Sequence, residues 1–244
     1  MATAQDESQL DLGGVFQLST MTSLIDGVYD GVMNFDQIRR HGDFGIGTFA
    51  HLDGELIGFD GRFYRLRGDG TATPLKSEDM TPFCSLTYFR PQIKKSFTKP
   101  LKKHEFEKEL HALVPSDNLF YAYRIDGVFK EITTRTVAYQ ERPVPMTEAV
   151  KSQPIFHFRD IKGTVVGFWT PFFAQGIAVA GYHFHFIDES RQGGGHVLDY
   201  TLERGTVQID QKTHQTLYTP ETESFMNANL ARSDLENEIK VTEG

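Results

Sequence analysis

Between Phe44 and Leu66 apolar and polar positions alternate in strand fashion, and two Asp-Gly pairs, Asp53-Gly54 and Asp60-Gly61, cut the alternation. Asp-Gly suits the tight turns of hairpins, so this stretch predicts a three-strand meander. Phe83 to Phe89 predicts another strand. From Lys103 to Leu113 the period changes, with Phe106, Leu110 and Leu113 on one side, and an amphipathic helix is predicted. Earlier, Met21 to Leu24 predicts a short element, and Val32, Phe35 and Ile38 a helical face that ends by Gly42. Asn118 to Arg135 reads as two strands around Asp126-Gly127. Ile155 to Phe158, Thr164 to Trp169, Ala178 to Ile187, His196 to Gly205 and Thr206 to Asp210 read as strands between glycine-rich turns, which suggests a small antiparallel barrel or sandwich. A helix is predicted from Ser233 to about Lys240, with Ser233 and Glu236 spaced as a capping box. The polar stretch up to about Gly14 predicts a loose start.

Pro143, Pro145 and Pro154, with polar residues between them, interrupt every periodic pattern. They divide the chain into residues 1–145 and 146–244. At 244 residues there is room for one large domain or two modest ones, each with its own core, and 20 phenylalanines favour strands and aromatic packing. The expected fold class is α+β and strand-rich.

A net charge of -8 argues against nucleic acid or an anionic membrane as partner. The basic knot of Lys94, Lys95, Lys99, Lys102 and Lys103 reads as a solvated approach to the helix that follows. Cys84 is the one cysteine, which fits a reducing compartment. The start lacks a basic segment followed by an apolar run, and the sequence nowhere reaches the roughly 18 consecutive apolar residues of a membrane span. A cytoplasmic protein is expected.

The sharpest local signal for chemistry is Gly181-Tyr182-His183-Phe184-His185-Phe186, followed by Gly193, Gly194, Gly195 and His196. Residues two apart on a strand share a face, so His183 and His185 project together while Phe184 and Phe186 face the opposite layer. If residues 189 to 195 form a hairpin turn, His196 returns opposite His185 and brings a third imidazole to the same point. Three protein nitrogens with open positions are the donor set of a catalytic zinc site. Glu189 offers a competing ligand in a His-x-His-x-x-x-Glu run that partly matches the cupin signature, although only His214 is available as its late histidine.

Glu55 shares a strand face with Ile57 and Phe59, where a carboxylate is costly unless paired or used. Taken alone, it reads as a solvent-edge glutamate beside a turn. Arg135, at a strand end after Thr133 and Thr134, reads alone as half of a surface ion pair, or else as a fixed cation for an anionic substrate. Gly42, Gly45 and Gly47 lack the lysine of a phosphate loop and read as a tight backbone crossing. With Cys84 in an apolar strand and no Gly-x-Ser-x-Gly elbow, nucleophilic serine or cysteine catalysis has no support.

Several blocks together resemble the acetolactate decarboxylase family. They are His41-Gly42-Asp43-Phe44-Gly45-Ile46-Gly47-Thr48-Phe49, Leu52-Asp53-Gly54-Glu55-Leu56, Phe120-Tyr121-Ala122, Arg124-Ile125-Asp126-Gly127, the His183 block through Ile187, and Gly194-Gly195-His196-Val197-Leu198-Asp199. They occur in the family's order and cover most of the chain from about Val28 to Asp199. The resemblance implies conversion of 2-acetolactate to acetoin and carbon dioxide, on the branch toward butanediol. It implies an N-terminal mixed-sheet domain, a C-terminal antiparallel β-barrel, and a homodimer formed through the N-terminal sheet. It also implies Zn2+ held by His183, His185 and His196, completed by Glu55, by Arg135 in Thr-Arg-Thr-Val, and by a glutamate near the C-terminus. That glutamate falls on Glu243, with Glu236 and Glu238 close by. The sequence has Ala178-Val179-Ala180-Gly181 where the family commonly has a proline, and Phe184 for a frequent leucine.

Such a residue set suits the reaction. Loss of carbon dioxide leaves an electron pair that a zinc ion chelated by the substrate's oxygens can accept, and a glutamate, Glu55 or Glu243, can then protonate the enediolate on one face. No organic cofactor is required. The rival readings are a cupin-like metal-dependent oxygenase or isomerase using Glu189, and a non-catalytic metal-containing binding module.

Overall fold

The structure, a computed structural model, describes residues 12–231 and 233–243. Most of the polar opening stretch therefore lies outside the described residues. Among the described residues, two large sheets dominate. The first has seven strands, in spatial order His214–Tyr218, Gly14–Leu18, Cys84–Thr87, Phe44–Thr48, Glu55–Phe59, Arg62–Leu66 and Ala72–Pro74. It is mixed, because Gly14–Leu18 runs parallel to His214–Tyr218 while its other ladders are antiparallel.

The meander from Phe44 to Leu66 forms as its pattern predicts, with Gly54 at φ 104° and Asp60 and Gly61 both left-handed, the backbone these tight turns demand. The glycines of its first strand make a close crossing. A Cβ on Gly45 would stand 2.2 Å from Ser85 O and one on Gly47 would stand 2.4 Å from Phe83 O, so any side chain there would push the Phe44–Thr48 and Cys84–Thr87 strands apart.

The second sheet orders Leu101–Lys102, Gly194–Lys212, Phe120–Arg135, Ile155–Thr170 and Gly181–Asp188, with Ile93–Phe97 also paired to Gly194–Lys212. A short ladder of His185, Phe186 and Ile187 with His196, Gly195 and Gly194 returns the last strand to Gly194–Lys212. The lysine-rich approach to the helix is thus in part a strand of this sheet. The strands are longer than the sequence suggests: Asp126-Gly127 is no turn but lies inside the 16-residue strand Phe120–Arg135. Gly127 pairs with Gly163 on one side and Gly205 on the other, and a Cβ on it would meet Arg204 O at 2.7 Å. Close backbone packing requires that glycine, and its dipeptide mimics a turn. In the same way, the two strands expected between Ile155 and Trp169 are one, and so are the two expected between His196 and Asp210.

The helix Lys103–Leu113 forms as predicted and sets Phe106 and Leu110 into a core with Tyr123, Phe184, Phe186 and Leu202. On the other face of the second sheet, Ala122, Val166, Phe168 and Ile187 pack on Val15, Phe44, Ile46 and Ile57 of the first. The sheets therefore share an apolar seam. Three helices, Met21–Ile25, Met146–Ala149 and Leu235–Glu243, pack on one another in a separate apolar cluster with Tyr29, Leu52, Phe83 and Val137. The N-terminal helical face is shorter than expected, with Met33–Asn34 a strand and only Phe35–Ile38 helical. The last helix is shifted against expectation, beginning at Leu235 and reaching Glu243.

Candidate metal centre and active site

Period-two alternation on Gly181–Asp188 sends Phe184 and Phe186 into the core under the Lys103–Leu113 helix and His183 and His185 to the seam. His196 pairs directly with His185 across the return ladder. On its other side His196 pairs with Arg135. One row across three adjacent strands therefore reads Arg135, His196, His185. Among the described residues, His183, His185 and His196 form the group whose ligand atoms, all within 4.8 Å of one another, could hold a metal ion.

Two of the rings have a defined hydrogen-bonding state. His185 is 1% exposed and its Nδ1 donates to Leu56 O at 2.8 Å, which leaves the lone pair on Nε2. His196 Nε2 donates to the main-chain oxygen of Glu243 at 3.2 Å, which leaves the lone pair on Nδ1. The Nε2 atoms of His183 and His185 are buried without a hydrogen-bond partner among the described residues. Two orphaned buried nitrogens beside a third imidazole fit a bound metal, because a buried polar nitrogen with no partner is otherwise costly. Burial, aided by the positive charge of Arg135, holds the pKa of each ring below its ordinary value, His185 at about 3, so the rings are neutral near pH 7 as ligation requires.

Glu55 opens its strand directly after the Asp53-Gly54 turn and is 7% exposed, with Oε2 3.7 Å from His185 Nε2. It is not the solvent-edge residue that the sequence alone suggests, because the second sheet covers the strand end on which it sits. Arg135 is not a surface residue either. It is 2% exposed, donates to Gln153 Oε1 at 3.0 Å and to the Thr242 carbonyl, and lies 3.6 Å from Glu243 Oε2.

Of the three tail glutamates, Glu243 is the one whose carboxylate joins the cluster: Oε2 is 3.4 Å from His183 Nε2 and 3.7 Å from His196 Nδ1. Burial pushes both Glu55 and Glu243 up to about 7, with Arg135 opposing the shift in each and Glu243 adding to it at Glu55. These groups face a cavity of about 20 Å³ whose apolar wall includes Met21, Leu24, Leu52, Phe83, Val137 and Met146.

Glu189 lies elsewhere, exposed and 3.8 Å from Lys162 Nζ, and His214 is on the edge strand of the first sheet. The cupin-like ligand set is therefore not brought together. The sequence reading missed Gln153, the apolar wall, and Leu52, which is held at a left-handed φ of 56° next to the Glu55 turn. Gln153 follows a short 3-10 turn in a proline-rich stretch and carries no pattern of its own; the positive φ at Leu52 could not be read from a residue type that rarely adopts it.

The chain has relatives among known proteins. A model of the family described as alpha-acetolactate decarboxylase matches residues 15–232. The curated alpha-acetolactate decarboxylase of Bacillus subtilis is 58% identical over 231 residues, covering 94% of this chain and 91% of that protein. The one from Klebsiella aerogenes is 44% identical over 230 residues, covering 94% of this chain and 88% of that protein. The crystal structure of alpha-acetolactate decarboxylase from Bacillus subtilis strain 168 superposes with a TM-score of 0.93 at 57% identity, over 95% of this chain and 99% of that one.

Proposed function

The chain belongs to the alpha-acetolactate decarboxylase family, and on that premise we propose that it is a zinc-dependent carboxy-lyase that converts 2-acetolactate to acetoin and carbon dioxide. One observation carries the reading: His183, His185, Glu55 and Glu243 line a single small cavity, with the third imidazole, His196, and the buried guanidinium of Arg135 each within 3.7 Å of the Glu243 carboxylate.

His183, His185 and His196 would hold the metal. A zinc ion bound there supplies a Lewis acid for the electron pair released as carbon dioxide leaves. Glu55 and Glu243, whose carboxyls burial pushes up from their ordinary range, are placed to hold a proton and deliver it to one face of the electron-rich carbon skeleton. Arg135 stabilises negative charge on a substrate oxygen, and its anchors at Gln153 and Thr242 set how far it reaches. That reach matters, since too firm a grip on the leaving carboxylate would stabilise the ground state. The methionines and leucines of the wall suit the substrate's methyl groups. Glu243 is the residue of the last helix that lines this cavity, and the reading takes that helix as a lid as well as an acid carrier.

The same reading takes the return ladder as closing the second sheet into a small barrel; a division at residues 145/146 does not separate the two sheets, because Phe120–Arg135 lies in the second and His214–Tyr218 in the first. It takes a homodimer to form through the first sheet, and the enzyme to work in the cytoplasm on the route to butanediol.

Arg135→Lys is expected to lower turnover by roughly a hundredfold, because an ammonium cannot serve Gln153 and the Thr242 carbonyl and still present a planar face to the cavity. Steady-state kinetics of the lysine variant check this, and parental turnover would make Arg135 structural.

The whole reading is tested by incubating zinc-loaded protein with racemic acetolactate under air and under nitrogen. Acetoin and carbon dioxide should appear in equal amounts in both, stop on chelation and resume with zinc. Absence of acetoin points to a binding module, and a need for oxygen points to an oxygenase.

A further inference from the structure

The last helix ends on the metal centre through its main chain. The final carbonyls of an α-helix have no partner within the helix, and here two of them are taken up by the site: Thr242 O by Arg135 Nη2, and Glu243 O by His196 Nε2 at 3.2 Å. The second contact determines which nitrogen of His196 is free. With its proton held toward the carbonyl, the ring turns the lone pair of Nδ1 to the point that His183 Nε2 also faces, both being within 3.7 Å of the same Glu243 oxygen.

His185 is supported in the same way by Leu56 O, but that carbonyl belongs to a strand paired on both sides. The His196 support rides on a nine-residue helix whose buried residues are Ile239 and Thr242. An element with so few buried contacts docks with a low local free energy, so contacts at its tip are a large share of what holds it.

We propose that the Thr242 and Glu243 main chain positions Arg135 and His196, so that metal loading and docking of the Leu235–Glu243 helix strengthen each other. This rests on the reading of the three histidines as a zinc site. An outer partner that accepts the second N–H of a ligating imidazole fixes its orientation and raises its basicity. The negative end of the helix dipole favours a cation beside it. Coupling between two equilibria is reciprocal, so zinc must stabilise the docked tail by as much as the docked tail tightens zinc.

Two measurements on the full chain test this. The first is zinc affinity by chelator competition, for the parent, for Ile239→Lys, which puts a charge into the apolar cluster that holds the helix and leaves the three histidines and Arg135 unchanged, and for Val241→Lys at an exposed position of the same helix. Ile239→Lys should weaken zinc by about tenfold or more, the usual scale for a lost outer partner, while Val241→Lys should bind like the parent. The second is hydrogen exchange of amides 239–243 in the parent, which should be about tenfold slower with zinc than after its removal. The exchange arm decides the matter if Ile239→Lys does not fold. Tail exchange indifferent to zinc would overturn the coupling and leave the zinc site standing. A parent that binds no zinc would overturn the site itself, and the coupling with it.

Discussion

His185→Ala is expected to empty the metal site and to lower acetoin formation by at least about a thousandfold, the scale of several kcal/mol of lost Lewis-acid stabilisation. His185 is the centre of the ligand set. Its neighbours His183 and His196 lie on either side, one two residues away on the same strand and the other directly across the ladder. Its ring is oriented by the first sheet through Leu56 O. Two remaining imidazoles on different strands would bind the ion far more weakly, since no preformed third nitrogen completes the set. The fold should survive, because the cores on the two sides of the second sheet do not depend on this ring. Metal analysis, circular dichroism and an acetoin assay on the same preparation check each part. Full zinc occupancy in the alanine variant would remove the ligand assignment.

Glu243→Gln is expected to lower the turnover number by about a hundredfold or more, the loss typical of a missing general acid, while zinc content stays near one per chain. The substitution keeps shape and keeps the main-chain carbonyl on His196, so it removes only the proton and the charge. The ordinary expectation for the end of a chain is that it is dispensable. Against it, the carboxylate stands within 3.7 Å of two histidines and Arg135, and its pKa is raised to about 7 by burial. Joint loss of zinc and turnover would instead make Glu243 a metal ligand. Unchanged turnover would leave proton delivery to Glu55.

The histidines were legible because two simple rules place them: period two along a strand, and a glycine-rich turn that brings the chain back. Glu55 and Arg135 were not legible from their own surroundings. What buries Glu55 is a second sheet contributed by residues far along the chain, and what places Arg135 is a register with His196 across 61 positions, which no local pattern reports. The resemblance to a family supplied them instead. The meander turns were legible because Asp-Gly there does adopt left-handed backbone, whereas the identical dipeptide at Asp126-Gly127 answers a packing demand from Gly163 and Gly205. The reach of the last helix to Glu243 was hidden as well. Thr242 returns its hydroxyl to Glu238 and Ile239 and is buried against Arg135, a polar residue serving as an inner face.

The parallel pairing of Gly14–Leu18 with His214–Tyr218 bears on how the protein is made. Its register joins Gly14 to His214, so this edge of the first sheet cannot form on the ribosome until the chain has emerged through Tyr218. Until then the nascent sheet presents Gly14–Leu18 as an unpaired apolar edge, the kind of surface that captures neighbouring chains. A chain stopped before residue 214 leaves that edge open and is expected to aggregate rather than to give a smaller folded product.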